Sequence, residues 1–182
     1  MTTAASRGAA SKSRGDQWEE ALIAYHDLLA RAGKAHIQRV PTPVTVLGPV
    51  KPDARGRRSF PACFAARAGV DFVGVLAGGR ACYLEAKTCS MERWEFAAAL
   101  VAPTASRVAG PEWESLTRCR ALGGLALVLL DWSSAGAGFW AVDVLALEIL
   151  RDRGAASVGQ TTLAGLPSTL VRPIQGARWL PE

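Results

Sequence analysis

Three charged residues of the 182-residue chain lie in or beside two short apolar runs that surround Gly78. Asp71 interrupts the run at residues 70–76, where a carboxylate without a partner would be costly to bury. The two runs are joined through an Ala-Gly-Gly turn, which is typical of a β-hairpin. A loop centred on Gly78 would place Glu85 opposite Asp71 on one face of the sheet. Lys87 lies two residues beyond Glu85 and therefore shares that face.

Two converging carboxylates and an amine are suited to metal-assisted phosphate chemistry. Carboxylate oxygens are the ligands that Mg²⁺ prefers, and Mg²⁺ keeps several waters and accepts phosphate oxygens of a substrate. A bound metal lowers the pKa of a water and offsets charge on a scissile phosphate, while Lys87 orients the nucleophile or neutralises charge. The sequence therefore predicts a Mg²⁺ site, with Mn²⁺ as a substitute, at Asp71 and Glu85. The alternative is a solvated strand face, because a Glu-X-Lys triplet alone is common.

Hydrophobic periodicity predicts the elements that would position these residues. Asp16 has the character of an N-cap, and an apolar stripe that begins at Trp18 predicts a helix that ends at Gly33. Short strands are expected at residues 35–40 and 44–47. After the hairpin, the pattern predicts helices near residues 95–101 and 111–121, strands at 125–130 and 139–142, a last helix capped by Asp143, and one more strand around 169–172.

The excess of basic residues lies in the first third of the chain. The net charge is +5, and residues 1–58 hold ten Lys and Arg against five Asp and Glu. Residues 1–15 are small, polar and basic, which predicts a disordered arm. Residues 48–61 are rich in proline and glycine, which predicts an exposed basic excursion. Its basic residues are Lys51, Arg55, Arg57 and Arg58. Both segments favour a polyanionic partner, with a solubilising tail as the alternative.

Length and composition limit the class of protein. A chain of 182 residues fits one domain with a buried core, which we expect at residues 16–182. No uncharged apolar stretch approaches the roughly eighteen residues that cross a bilayer, and no secretory signal is evident. We therefore expect a cytoplasmic protein with no membrane partner. The four cysteines lack zinc-binding spacing, so reduced, mostly buried thiols are expected, and a disulfide between Cys82 and Cys89 is the less favoured alternative.

Five short segments carry a resemblance to a known family. They are Gln17-Trp18-Glu19, Gly33-Lys34-Ala35-His36-Ile37, Val40-Pro41-Thr42-Pro43-Val44, Asp71-Phe72-Val73-Gly74-Val75 and Leu84-Glu85-Ala86-Lys87-Thr88. Asp71, Glu85 and Lys87 resemble the signature of the PD-(D/E)XK nuclease superfamily. The five segments together resemble the RecU family of Holliday junction resolvases, and the resemblance extends over most of the chain.

The resemblance implies a fold and a set of functional residues. The fold is mixed α/β with a restriction-endonuclease-like core, in which helices flank a central mixed sheet and a stalk at residues 48–62 protrudes. Glu19 is implied to join Asp71 and Glu85 as a metal ligand, and Lys87 to be the catalytic lysine. A salt-bridged helix glutamate is the alternative for Glu19. The implied DNA-binding residues are Arg39, Thr42, Lys51, Arg55, Arg57 and Arg58.

The function implied by the resemblance is paired cleavage of four-way DNA junctions in recombination and repair. It would be performed by a Mg²⁺-dependent, nucleoid-associated homodimer, since paired nicks require twofold symmetry. One alternative is a nuclease of the same superfamily that acts on forks, flaps or foreign duplex DNA. Another is a catalytically silent protein that binds branched DNA.

One departure from the family pattern concerns the helix after the hairpin. The family has a His-Gln pair at its start, whereas this sequence has Pro111-Glu112. Glu112 either takes over the orienting role of the glutamine or is an acidic residue that favours the first turn of a helix.

Overall fold

The computed structural model describes residues 4–41, 44–49, 51–52, 58–59, 62–64, 69–96 and 110–181. Along the chain they form α1 (Ala4–Arg31), β1 (Ala35–Arg39), β2 (Val44–Val46), β3 (Lys51–Pro52), β4 (Arg58–Ser59), β5 (Ala62–Phe64), β6 (Phe72–Leu76), β7 (Ala81–Thr88), β8 (Arg93–Trp94), α2 (Pro111–Ala121), β9 (Leu125–Trp132), β10 (Gly138–Asp143), α3 (Val144–Asp152), β11 (Val158–Gly159), α4 (Gln160–Ala164) and β12 (Val171–Ile174).

Six strands form a central sheet in the spatial order β1-β6-β7-β9-β10-β12. β7 and β9 run parallel, whereas the other neighbouring strands are antiparallel. Helix α1 covers one face of the sheet, and α2 and α3 cover the other. The expected mixed α/β fold, with helices on both sides of a mixed sheet, is confirmed and is consistent with a nuclease-like core.

Alternating side chains of β9 divide the hydrophobic core into two layers. Leu127 and Leu129 pack in the cluster beneath α1, whereas Val128 and Leu130 pack in the cluster beneath α2 and α3. All four side chains are almost completely buried. Burial of each contributes about 2 kcal/mol before the entropy of ordering is subtracted. β9 is therefore an apolar support for β7, the strand that carries Glu85 and Lys87.

Helix α1 ends as predicted but begins earlier. Gly33 has φ +66°, a left-handed conformation that suits glycine after a helix. The expected start at Asp16, after a disordered arm at residues 1–15, is wrong for residues 4–15, because the helix begins at Ala4. This segment is rich in alanine and lacks proline, and lengthening an existing helix costs less than nucleating a new one.

The basic segment between β1 and β6 contains paired strands rather than an irregular loop. β2 pairs with β5, and β3 pairs with β4, all antiparallel. Neither pair joins the central sheet. We call residues 44–64 the basic ribbon. It includes the expected stalk, residues 48–62, whose protrusion stays a prediction.

The second half of the chain follows the predicted pattern with three differences. The bounds of α2 and the cap of α3 are confirmed, since the carboxylate of Asp143 accepts a hydrogen bond from the amide of Leu145. α3 is not the last helix, because α4 follows it, and the final strand begins at Val171, two residues later than expected. The short pairing of β8 with β11 has no counterpart in the predicted pattern. The helix expected near residues 95–101 falls almost wholly outside the described residues.

The four cysteines are free thiols, and most of them are buried. Cys82, Cys89 and Cys119 are buried, while Cys63 is exposed. Within the described parts of the chain, no helix is long and apolar enough to cross a membrane.

Candidate active site

The hairpin of β6 and β7 brings Asp71 and Glu85 together, as the sequence predicts. Phe72 pairs with Leu84, so Asp71 and Glu85 are the next residues along the two strands, away from the turn. The amide of Asp71 donates a hydrogen bond to Oε2 of Glu85 at 3.2 Å. The amide of Ala86 donates to Oδ2 of Asp71 at 2.8 Å. Each carboxylate is therefore held by the opposite strand.

Glu85 is a buried acid next to a lysine. Its relative exposure is 1%, and its Oε1 forms an ion pair with Nζ of Lys87. Burial raises the pKa of Glu85 to about 8, with the charge of Lys87 opposing and that of Asp71 adding to the rise. Burial alone would lower the pKa of Lys87, but the charge and hydrogen bond of Glu85 raise it overall. Lys87 is therefore a cation, and a further cation would stabilise the charged form of Glu85.

Glu19 reaches the same region from helix α1. The indole nitrogen of Trp18 donates to the carbonyl oxygen of Leu129 at 3.1 Å, and its ring stacks on Phe139. These two contacts of Trp18 fix which side of α1 faces the sheet. Glu19 then lies beside β1, where its Oε2 forms an ion pair with Nη2 of Arg39.

The electrostatic surroundings of Glu19 link it to the hairpin. Burial raises its pKa, the charge of Arg39 opposes this rise, and the charge of Asp71 adds to it. The positive charge of Lys87 also acts on Glu19. The structure therefore brings Glu19 near the hairpin acids, while its carboxylate is paired with Arg39.

Helix α2 adds a fourth acid to this region. Glu112 lies in the first turn of α2, and its charge raises the pKa of both Glu85 and Lys87. α2 closely approaches the segment that precedes Asp71, because a Cβ on Gly69 would lie 2.6 Å from Oγ of Ser115. Glu112 therefore contributes to the electrostatic field around the buried pair, and both alternatives for its role stay predictions.

The donor atoms of this region fit a divalent cation. Asp71, Glu85 and Glu19 supply only carboxylate oxygens, and burial raises the pKa of Glu85. Among the described residues, no three His, Cys, Asp or Glu side chains converge tightly enough to hold a metal ion. Two carboxylates are compatible with Mg²⁺, which commonly binds one or two together with waters and substrate phosphates.

The residues expected to bind DNA are only partly described. Arg39 has a side chain that is 56% exposed and lies next to Glu19. Arg58 is exposed on β4 of the basic ribbon. Of Lys51 only the backbone is described. Thr42, Arg55 and Arg57 lie outside the described residues.

The sequence leaves a salt-bridged helix glutamate as the alternative for Glu19, and Glu19 does form an ion pair, but the sequence does not indicate Arg39 as its partner. The two residues are 20 positions apart and lie on different elements, and their contact depends on how α1 is rotated over the sheet. Hydrophobic periodicity places Trp18 on the buried face of α1, but it does not indicate which strand Glu19 will face.

The fold and this cluster first define a class: a mixed α/β protein, consistent with a nuclease-like core, with acids and a lysine at the end of a hairpin. The sequence profile of the RecU family, described as recombination protein U, matches residues 13–157, which is well over half of the chain. The chain therefore belongs to the RecU family of Holliday junction resolvases. A comparison with curated proteins found no match.

Proposed function

We propose that this protein is a Mg²⁺-dependent endodeoxyribonuclease that resolves four-way DNA junctions by paired phosphodiester cleavage. The observation that carries the proposal is the buried carboxyl of Glu85, which lies between the ammonium of Lys87 and the amide of Asp71. Burying an acid without full compensation destabilises a fold, so such an arrangement is more typical of a functional site than of a structural one.

The chain's own residues have separate roles in this proposal. Asp71, Glu85 and Glu19 would hold the metal ion, with Mn²⁺ able to replace Mg²⁺. When bound, the ion supplies an activated water and offsets negative charge on the phosphate. Lys87 stays protonated because of the neighbouring acids, so its ammonium neutralises charge or orients the attacking water. The two strands fix the separation of Asp71 and Glu85 through hydrogen bonds.

DNA binding is assigned to Arg39 beside this cluster, to Thr42 and to the basic residues of the basic ribbon. The residues proposed to contact phosphates are Arg39, Thr42, Lys51, Arg55, Arg57 and Arg58. Contacts with phosphates position DNA without reading its sequence, which suits an enzyme that selects a branched shape. We propose a homodimer, because two nicks related by a twofold axis require two equivalent sites. Such an enzyme would act at the nucleoid.

The proposal is tested with three labelled substrates that share their arm sequences: a four-way junction, a duplex and a flap. The wild-type protein is assayed with Mg²⁺, with Mn²⁺ and with EDTA. We expect paired, symmetric nicks in the junction with either metal and none with EDTA. Equal cleavage of duplex and flap would favour a nuclease of other specificity. Junction binding without any cleavage would favour a silent binding protein.

A further inference from the structure

We propose that Arg39 is a positioning residue that withholds Glu19 from the metal ion until a DNA phosphate draws Arg39 away. The inference rests on the proposed function, and it concerns the order in which the site is assembled. It predicts that the protein without DNA binds a divalent ion less tightly than its acids would otherwise allow.

Each of the three acids has a partner within the protein. Oδ2 of Asp71 accepts from a β7 amide, and Oε1 of Glu85 pairs with Lys87. Oε2 of Glu19 pairs with Nη2 of Arg39. No three acidic side chains in the described ranges form a compact ligand set. Of the three acids, Glu19 is the one whose ion-pair partner is a largely exposed arginine, Arg39.

The position of Arg39 lets it respond to DNA. It is the last residue of β1, and the amide of the next residue, Val40, donates to the carbonyl oxygen of Asp71 at 2.8 Å. The backbone of Arg39 is therefore tied to the strand segment that carries a proposed metal ligand. Its side chain is 56% exposed, whereas that of Glu19 is 24% exposed. A phosphate approaching the cluster would therefore reach the guanidinium first.

Arg39 can exchange the carboxylate of Glu19 for a DNA phosphate at little cost in free energy. An ion pair this exposed contributes little to stability, so opening it costs little. A guanidinium binds phosphate through two parallel hydrogen bonds, which compensates for the loss of one carboxylate contact. The carboxylate of Glu19 then lies in the field of Asp71, Asp16 and Lys87, and a bound cation would offset the two negative charges. DNA and metal would thus bind cooperatively through this one side chain.

The test measures Mn²⁺ binding to the full-length protein without DNA, from the electron paramagnetic resonance signal of free Mn²⁺. We compare wild type, Arg39→Gln, Glu19→Gln and the double variant. The matched control is Arg31→Gln, which removes an equal charge from the last turn of α1, about 18 Å along the helix from Glu19. We expect Arg39→Gln to bind Mn²⁺ about fivefold more tightly than wild type. The same substitution should change binding less than about twofold in the Glu19→Gln background, and Arg31→Gln should match wild type.

The outcomes separate this inference from the proposed function. Unchanged or weaker Mn²⁺ binding by Arg39→Gln overturns the inference while leaving the metal site intact. The inference also fails if Arg39→Gln raises the affinity for Mn²⁺ equally in the wild-type and Glu19→Gln backgrounds. The gain would then come from a general change in the electrostatic field. If no form binds Mn²⁺, both the metal site and the inference fail. A second arm measures junction binding in EDTA, where Arg39→Gln should bind more weakly than Arg31→Gln. Equal affinities there would contradict the role of Arg39 in contacting phosphate.

Discussion

Glu85 is the residue in which stability and proposed activity are most clearly opposed. It is almost completely buried, and its neighbours include one cation and two further acids, Asp71 and Glu112. Replacing the buried Glu85 by a neutral residue removes the cost of burying its charge but leaves Lys87 without its ion-pair partner, whereas removing a metal ligand abolishes the chemistry that the metal supplies. A substitution at Glu85 can therefore separate the two.

Glu85→Gln should keep the fold and lose cleavage. In EDTA we expect its free energy of unfolding to stay within about 1 kcal/mol of wild type, because relief from burying a carboxylate offsets loss of the ion pair with Lys87, whose side chain is 28% exposed. Junction cleavage in Mg²⁺ should fall by at least about 100-fold. Urea denaturation and single-turnover cleavage measure the two effects. A variant that cleaves like wild type would remove Glu85 from the site.

The pairing of β1 with β6 depends on a glycine in the hairpin. A Cβ on Gly74 would lie 2.2 Å from the carbonyl oxygen of His36 and 2.6 Å from Cα of Ile37. Both contacts are with backbone atoms, which cannot rotate away as the end of a side chain can. Gly74 thus permits the close approach of β1, the strand that carries Arg39 to the site.

Gly74→Ala should destabilise the protein by about 2 kcal/mol, because β1 must move away from β6. The matched control is Gly15→Ala, since nothing lies within 4 Å of a Cβ added at this position in α1. In the control, alanine should increase stability by about 0.5 to 1 kcal/mol. Urea denaturation of both variants measures the difference. Equal effects of the two substitutions would contradict the close packing of β1 on β6.

The basic ribbon is the element proposed to contact branched DNA. Arg58 is exposed on β4, which pairs with β3 and does not join the central sheet. Arg58→Gln should weaken junction binding and lower the slope of log affinity against log salt by about 1, as expected for one lost phosphate contact. Arg31→Gln is again the charge-matched control. Binding is measured in EDTA at several salt concentrations, and an unchanged slope would argue against contact of Arg58 with a phosphate.

The C-terminal segment packs on α1. The buried Trp179 donates from its indole nitrogen to Nε2 of His26 at 3.1 Å. Tyr25, one residue earlier on α1, donates from its hydroxyl to the carbonyl oxygen of Leu180 at 3.0 Å. Trp179 and Leu180 lie outside the part of the chain that matches the family profile, residues 13–157, yet they contact the helix that carries Glu19. Tryptophan only donates, so His26 is neutral and accepts.

This contact predicts a loss of stability in acid. Burial lowers the pKa of His26 from 6.5 to about 4, with the charge of Asp27 opposing the shift. The contribution of neutral His26 is fully present above about pH 6.5 and is lost as the pH falls towards 4, by about 3 kcal/mol in total. His26→Gln keeps an acceptor for Trp179 without titrating. The difference in unfolding free energy between wild type and variant should therefore change over this range, and a constant difference would refute the prediction.

The range over which residues interact explains what the sequence could and could not predict. The pairing of Asp71 with Glu85 depends on one short turn, so the sequence suffices for it. The bounds of α2 and the helix cap at Asp143 likewise depend on residues that are close together in the sequence. The pairing of Glu19 with Arg39 depends on the anchoring of Trp18 to β9, 111 positions away. The packing of Trp179 on His26 spans 153 positions. Such contacts arise only once the whole fold is formed.

The central claim is that Asp71 belongs to a metal-dependent nuclease site, and single-turnover junction cleavage by Asp71→Asn tests it most directly. The matched control is Asp152→Asn, which removes an equal charge from an exposed ion pair with Arg151 at the end of α3. With saturating Mg²⁺, we expect the first variant to lose at least about 100-fold in rate while still binding the junction, and the second to cleave like wild type. Cleavage by Asp71→Asn at the wild-type rate would contradict the account.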